Sequence, residues 1–192
     1  MTDCYISCKT PVGYYRLSAA DQLAAKGQLR PFRATWVEND WEVPAAWIAH
    51  DEMLAETTKM IQAYLLGEDI DPALAPLPTP VGPKFHQSCW EALRTVGRSE
   101  CITYGQLAEL AGGHRNQARA VGAAMRSNPL PLIVPCHRVL AQDGTKYRLG
   151  GYMGEHENKS RDSLPLQIKR WLLRLEGTLD TNEILLERRE CA

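Results

Sequence analysis

Apolar and polar positions change their period several times along the chain. The segment from Tyr5 to Leu17 contains Thr10-Pro11-Val12-Gly13, a turn signature, followed by the alternating run Tyr14-Tyr15-Arg16-Leu17. This pattern predicts a β-hairpin. Residues 28–43, with Leu29, Phe32, Trp36, Val37 and Trp41, read as strand rather than helix. From Ala45 to Leu66 the spacing of Met53, Met60, Ile61, Tyr64 and Leu65 becomes helical, with Gly67 as the stop, and predicts a helix covering a small N-terminal sheet. Prolines at 72, 76, 78, 80 and 83 then favour extended chain and mark a domain boundary.

Beyond that boundary Phe85–Val96 reads as a helix with Phe85, Cys89, Trp90 and Leu93 on one side. Thr103 with Gln106 forms a capping-box pattern that opens a helix over Tyr104–Leu110, and Gly112-Gly113 ends it. A second short helix fits Gln117–Met125, so the pair suggests a helix-turn-helix, a shape that many helical hairpins share. Leu130–Val134 is compact and apolar, broken by Pro131 and ending at Pro135, which sets Cys136 at the edge of a core. Residues 142–163 read as a long polar loop, Leu164–Leu175 as a helix, and 180–192 as a loosely held tail. The expected domains are 1–80, 81–179 and the tail 180–192.

Composition is that of an ordinary globular chain, with 44% hydrophobic and 23% charged residues over 192 positions. No apolar run approaches the ~18 residues of a membrane span, and the N-terminus lacks the basic and apolar regions of a signal peptide. These features predict a soluble intracellular protein, cytoplasmic, or nuclear in a eukaryote. Six cysteines show no disulfide-like spacing and are expected to be reduced. Cys4-x3-Cys8 with His50 or His86 is too weak a pattern to carry a metal site, and none is expected.

The net charge of −1 hides an asymmetry: −5 over residues 1–80 and +4 over 81–192. Within 103–138, Arg115, Arg119, Arg126 and Arg138 face only Glu109, which predicts a local positive surface for phosphates or, equally, a set of solvated arginines. The chemistry concentrates at Val134-Pro135-Cys136-His137-Arg138-Val139. A thiol must become a thiolate to attack carbon; His137 offers a base and Arg138 a positive field. Adjacent side chains need not face one another, so the dipeptide alone also fits a structural reading.

The run Ile133-Val134-Pro135-Cys136-His137-Arg138-Val139 resembles the acceptor motif of the O6-alkylguanine-DNA alkyltransferases. Other features follow in the family's order: Phe85-x4-Trp90-x-Ala92-Leu93, Thr103-Tyr104-x2-Leu107-Ala108, Ala118-Arg119-Ala120-Val121-Gly122, Ser127-Asn128-Pro129, Gly151-Tyr152-x-Gly154 and Lys169-x-Trp171-Leu172-Leu173-x2-Glu176-Gly177. They cover residues 85–177 strongly; Thr10-Pro11-Val12-Gly13 and Tyr64-Leu65-x-Gly67 extend a weaker likeness towards the N-terminus.

The resemblance implies an α/β, ribonuclease-H-like N-terminal domain and a mainly α C-terminal domain whose helix-turn-helix binds the DNA minor groove. It implies Cys136 as alkyl acceptor, His137 as its base through an ordered water, and Glu176 as the carboxylate that orients His137 and favours its cation. Tyr104 would help rotate the nucleotide out, Arg119 would fill the vacated stack, and Ala118, Ala120, Gly122 and Arg126 would lie on the DNA-binding surface. Asn128 would tie the recognition segment to the acceptor turn, Pro131, Val139, Tyr152 and Gly154 would line the pocket, and Lys169 would be structural. The implied partner is double-stranded DNA containing O6-alkylguanine, repaired by a monomer with no cofactor in a single turnover. Two alternatives are a non-catalytic module that recognises alkylated DNA and a helix-turn-helix regulator. The chain departs from the family after Cys136: the loop to Tyr152 is longer by about three residues, Glu155 replaces a second glycine, and roughly ten extra residues precede Lys169. The polar run within 155–165 reads as a rim beside the pocket or as an inert insertion. Retention of Cys136 argues against the related proteins that have replaced it.

Overall fold

The computed structural model describes residues 3–20, 33–39, 48–49, 55–74, 77, 79–144, 146–156 and 162–179. The chain separates into two compact units: the residues before Thr79 with Pro129–Pro131, and Thr79–Asn128 with the residues from Leu132 on.

The first unit is built on a hairpin. Strands β1 (Asp3–Thr10) and β2 (Gly13–Ala20) pair antiparallel from Asp3↔Ala20 to Thr10↔Gly13. Thr10 Oγ1 closes the turn by donating to the Gly13 carbonyl at 2.9 Å and accepting from the Val12 amide at 3.2 Å. Gly13 is required there, because its φ is +111° and a Cβ would lie 2.6 Å from the Val37 carbonyl oxygen. Strand β3 (Arg33–Val37) pairs antiparallel with β2, and β4 (Ile48–Ala49) parallel with β1, giving the order β3-β2-β1-β4. Helix α1 (Ala55–Leu65) packs on β1 and buries Ile61 and Tyr64. Alternation along β2 puts Tyr15, Leu17 and Ala19 fully inside, with the Tyr15 and Trp36 rings edge-to-face at 5.0 Å. The helical pattern from Ala45 overreached, since residues 48–49 pair as strand and the described helix covers Ala55–Leu65. A short helix α2 (Asp71–Leu74) follows, within the proline-rich segment.

The second unit packs α3 (Lys84–Leu93), α4 (Tyr104–Leu110) and α5 (Ala118–Arg126) together. Trp90, almost fully buried on α3, donates its indole N–H to the Ala124 carbonyl at 2.9 Å and fastens α5 to α3. Helix α4 starts in a complete capping box: Thr103 Oγ1 accepts from the Gln106 amide and Gln106 Oε1 from the Thr103 amide. A 3-10 turn at Arg115–Gln117 joins α4 to α5 and completes the helix-turn-helix. Strand β5 (Ile102–Thr103) pairs parallel with β6 (Val139–Asp143), and β6 antiparallel with β7 (Lys146–Arg148).

Strands β8 (Gly151–Tyr152) and β9 (Glu155–His156) form a two-residue hairpin. Its turn has φ +49° at Met153 and +91° at Gly154, the backbone of a type I′ turn, which explains the glycine. The polar stretch expected to be loop thus carries three short strands. Helix α6 (Leu164–Leu175) closes the unit, burying Leu166, Ile168, Lys169, Leu172 and Leu173. Of the rim expected within 155–165, Glu155 and His156 form β9 and Leu164 and Pro165 open α6, while residues 157–161 and the tail 180–192 lie outside the described residues. Among the described residues no helix is long and apolar enough to cross a membrane, and no cluster of three His, Cys, Asp or Glu is placed to hold a metal ion. His50 and the Cys4 side chain fall outside that description.

Candidate active site

Cys136 opens a short 3-10 turn, Cys136–Arg138, between Pro135 and β6. The turn is fixed by the Cys136 amide on the Val134 carbonyl at 2.8 Å and the Arg138 amide on the Pro135 carbonyl at 2.9 Å. The thiol is 5% exposed. Asn128, two residues past α5, donates from Nδ2 to the Val134 carbonyl at 2.9 Å and to Cys136 Sγ at 3.2 Å. One amide therefore joins the end of α5 to both the acceptor turn and its sulfur. Burial raises the thiol's pKa; the Asn128 bond, the Lys169 charge, the turn's own amide and the Tyr152 hydroxyl pull the other way without overcoming it. The resting sulfur is a thiol whose anion has partners already in place.

Behind it lies a buried ionic cluster. His137 Nε2 sits 3.0 Å from Glu176 Oε1, at the C-terminal cap of α6. The same carboxylate receives Arg138, whose Nη2 is 2.8 Å from Oε1 and whose Nε is 3.1 Å from Oε2. All three residues are at most 2% exposed. Burial alone would raise the Glu176 pKa, but His137 and Arg138 outweigh it and hold the carboxyl well below its ordinary range. Burial lowers the His137 pKa, opposed by Glu176 and reinforced by the Arg138 and Lys169 charges. Neutral imidazole results, with Glu176 balanced by Arg138. One expectation is corrected here: Arg138, buried against Glu176, adds nothing to a positive surface, whereas Glu176 does favour the imidazolium while burial keeps the resting ring neutral.

Lys169 is fully buried on α6 and donates to the carbonyls of Val139 at 2.6 Å, Leu149 and Gly151 at 3.1 Å. It thereby ties β6 and β8 to the helix and lends positive charge to the sulfur. Tyr104, at the start of α4, reaches the Gly151 carbonyl with its hydroxyl at 3.4 Å. A Cβ at Gly150 would stand 3.3 Å from that ring, a tight approach in a residue whose φ is +71°.

The sequence model described as "6-O-methylguanine DNA methyltransferase, DNA binding domain" matches residues 84–178. The methylated-DNA–protein-cysteine methyltransferase of Methanosarcina acetivorans is 37% identical over 139 residues, 71% of this chain and 78% of that protein. The human protein of the same name is 35% identical over 178 residues, 88% of this chain and 77% of its own. Among solved structures, that of Mycobacterium tuberculosis OGT in complex with DNA superposes with a TM-score of 0.65 at 28% identity, covering 91% of this chain and 93% of that one. The chain belongs to the methylated-DNA–protein-cysteine methyltransferase family.

Its fold is that of the family: an α/β N-terminal unit, whose strand order is ribonuclease-H-like, and a mainly helical C-terminal unit with a helix-turn-helix. In this methyltransferase-family chain Cys136, Asn128, Tyr152, His137 and Glu176 gather around one turn, with Val139 fully buried directly after it. Pro131 groups with the N-terminal unit, where its carbonyl accepts the Tyr15 hydroxyl. Gly154 is exposed at the hairpin tip. Ala118 is half-buried, and Arg119, Ala120 and Arg126 are exposed on α5. Arg115 pairs with Glu109 at 3.4 Å, leaving Arg119 and Arg126 as cations with no ion pair among the described residues. Sequence reasoning missed two contributions, the Arg138 clamp on Glu176 and the Tyr152 hydroxyl near sulfur. The three cationic side chains at 138, 169 and 170 beside so apolar a pattern were the available signal for buried pairing.

Proposed function

We propose that the chain repairs double-stranded DNA by moving an alkyl group from O6 of guanine to Cys136 Sγ, once per protein molecule. The carrying observation is a buried thiol held 3.2 Å from Asn128 beside a His137–Glu176 pair, in a chain of this family.

With Nε2–H donating to Glu176, the basic lone pair of neutral His137 is on Nδ1, and the thiol proton passes there through a bridging water. The imidazolium so formed is stabilised by Glu176. Sulfur then bonds to the alkyl carbon as the carbon–O6 bond breaks and its electron pair passes to the purine, where the Tyr104 hydroxyl supplies a hydrogen bond. The thioether has no ready leaving group, so the protein is consumed.

An O6-alkyl group within a base stack cannot reach a sulfur this deeply buried, so the nucleotide must leave the duplex, at about a few kcal/mol of unstacking. The exposed face of α5 suits that step. A Cβ at Gly122 would meet nothing within 4 Å, so internal packing does not account for the glycine. Close approach of a groove does, and Arg119 projects from the same helix to occupy the vacated stack. That the Mycobacterium tuberculosis relative was solved in complex with DNA supports a DNA-binding role.

The test is Cys136→Ser. Binding to an oligonucleotide with one O6-methylguanine should persist while transfer is lost; stoichiometric transfer by this variant would remove Cys136 from its role.

A further inference from the structure

The loop between α3 and β5 grips the cap of α6 through groups that the transfer reaction does not itself use. Helix α6 ends in a Schellman motif: Gly177 takes φ +73°, its amide donates to the Arg174 carbonyl at 3.0 Å, and the Thr178 amide to the Leu173 carbonyl at 2.8 Å. That leaves the last carbonyls, of Leu175 and Glu176, beyond the helical pattern. Arg98 Nη2 donates to Leu175 at 2.7 Å, and the Ser99 hydroxyl to Glu176. Two residues before Arg98, the Val96 carbonyl accepts Arg138 Nη1 at 2.6 Å. The loop therefore holds Glu176 by its backbone and Arg138 by its guanidinium. Ser99 does so at φ +66°, a left-handed conformation uncommon for a residue with a side chain, and the Gly97 amide on Glu100 Oε2 at 2.8 Å closes the bend.

We propose that Arg98 and Ser99 are positioning residues for alkyl transfer, fixing the Glu176 backbone so that one carboxylate serves Arg138 and His137 together. The inference rests on the function proposed above. The two partners of Glu176 are unequal. Arg138 engages it through two nitrogens, His137 through one. If the cap shifts, the charge-assisted two-point contact is kept and the single histidine contact is lost. The charged groups facing His137 are Glu176, Arg138 and Lys169, with Cys136 adjacent in the turn. Both cations oppose an imidazolium; Glu176 alone of these favours it. Loosening the loop should therefore weaken the base that receives the thiol proton.

The experiment is single-turnover transfer from an O6-methylguanine oligonucleotide, measured across pH for the intact chain, Ser99→Gly and Ser99→Asn. Glycine removes the CH2OH side chain with its hydrogen bond but relieves the left-handed strain at Ser99, so the melting temperature should be unchanged or higher. The rising limb of its pH profile, below which His137 is protonated, should move down by about half a unit, and the rate on the plateau above it should fall about twofold, because a weaker base takes the thiol proton less readily. Asparagine tolerates the same backbone and brings an amide donor, and should move the limb back. A Ser99→Gly limb that coincides with that of a transferring wild-type chain overturns the inference, as does a rate lowered equally at every pH. Failure of the wild-type chain to transfer at all would overturn the proposed function instead.

Discussion

Replacing Glu176 by glutamine keeps the shape of the side chain and removes its charge. Arg138, 2% exposed, then loses the carboxylate that meets it at 2.8 and 3.1 Å, while the amide nitrogen turns one acceptor into a donor facing other donors. Breaking a buried pair from one side costs about 3–5 kcal/mol, because the remaining charge has neither partner nor water. With a urea m-value of about 1–3 kcal/mol/M, the unfolding midpoint of the C-terminal unit should fall by about 1–5 M. The assay is urea unfolding followed by circular dichroism at neutral pH. The double variant Glu176→Gln with Arg138→Met should recover part of the loss, since the stranded charge is gone and the two positions are in contact. A single variant within about 1 kcal/mol of wild type would refute the reasoning, as would a double variant less stable than either single one.

Acid should destabilise the fold in two windows. The His137 pKa is lowered by folding, so its contribution is present above the ordinary value of 6.5 and is lost as pH falls below it, where only the unfolded chain takes up the proton. Glu176, also lowered, contributes fully above 4.5 and loses that contribution as pH falls towards its folded value. Unfolding free energy measured against pH should decline in both windows, and a flat profile between pH 7 and 5 would contradict the buried neutral histidine. Asn128→Ala removes a donor to sulfur and should raise the thiol pKa further, slowing iodoacetamide modification of Cys136 about tenfold at neutral pH; an unchanged rate would show that the amide does not support the anion. Arg119→Ala should slow transfer from duplex DNA more than from free O6-benzylguanine, and equal losses on the two substrates would defeat its assignment to the extruded-base state.

Local signals carried far in the sequence. The Thr103–Gln106 box and the Leu164–Leu175 helix were legible because caps and a 3.6-residue period are encoded within a few turns of chain. The strands at 146–148, 151–152 and 155–156 were not, because two or three residues carry too little alternation and their pairing is set by a neighbouring strand. Cys136 and His137 were recognised from their motif, whereas the balance of charge around them was not. Arg138 reads as one more surface cation until Glu176, 38 positions away, is folded onto it. Tyr152 reads as a wall residue for a similar reason: nothing in Gly151-Tyr152-Met153-Gly154 says where its hydroxyl goes, and the type I′ turn that aims the hairpin appears only as positive φ angles.

The central claim is a covalent one, and the intact mass of the protein tests it most directly. After incubation with an oligonucleotide containing one O6-methylguanine, the wild-type chain should gain the mass of a single methyl group, and peptide mapping should place it on Cys136, with no further gain on adding more substrate. Binding of the lesion without a gain in mass, or methylation of Cys101 in place of Cys136, would contradict the account.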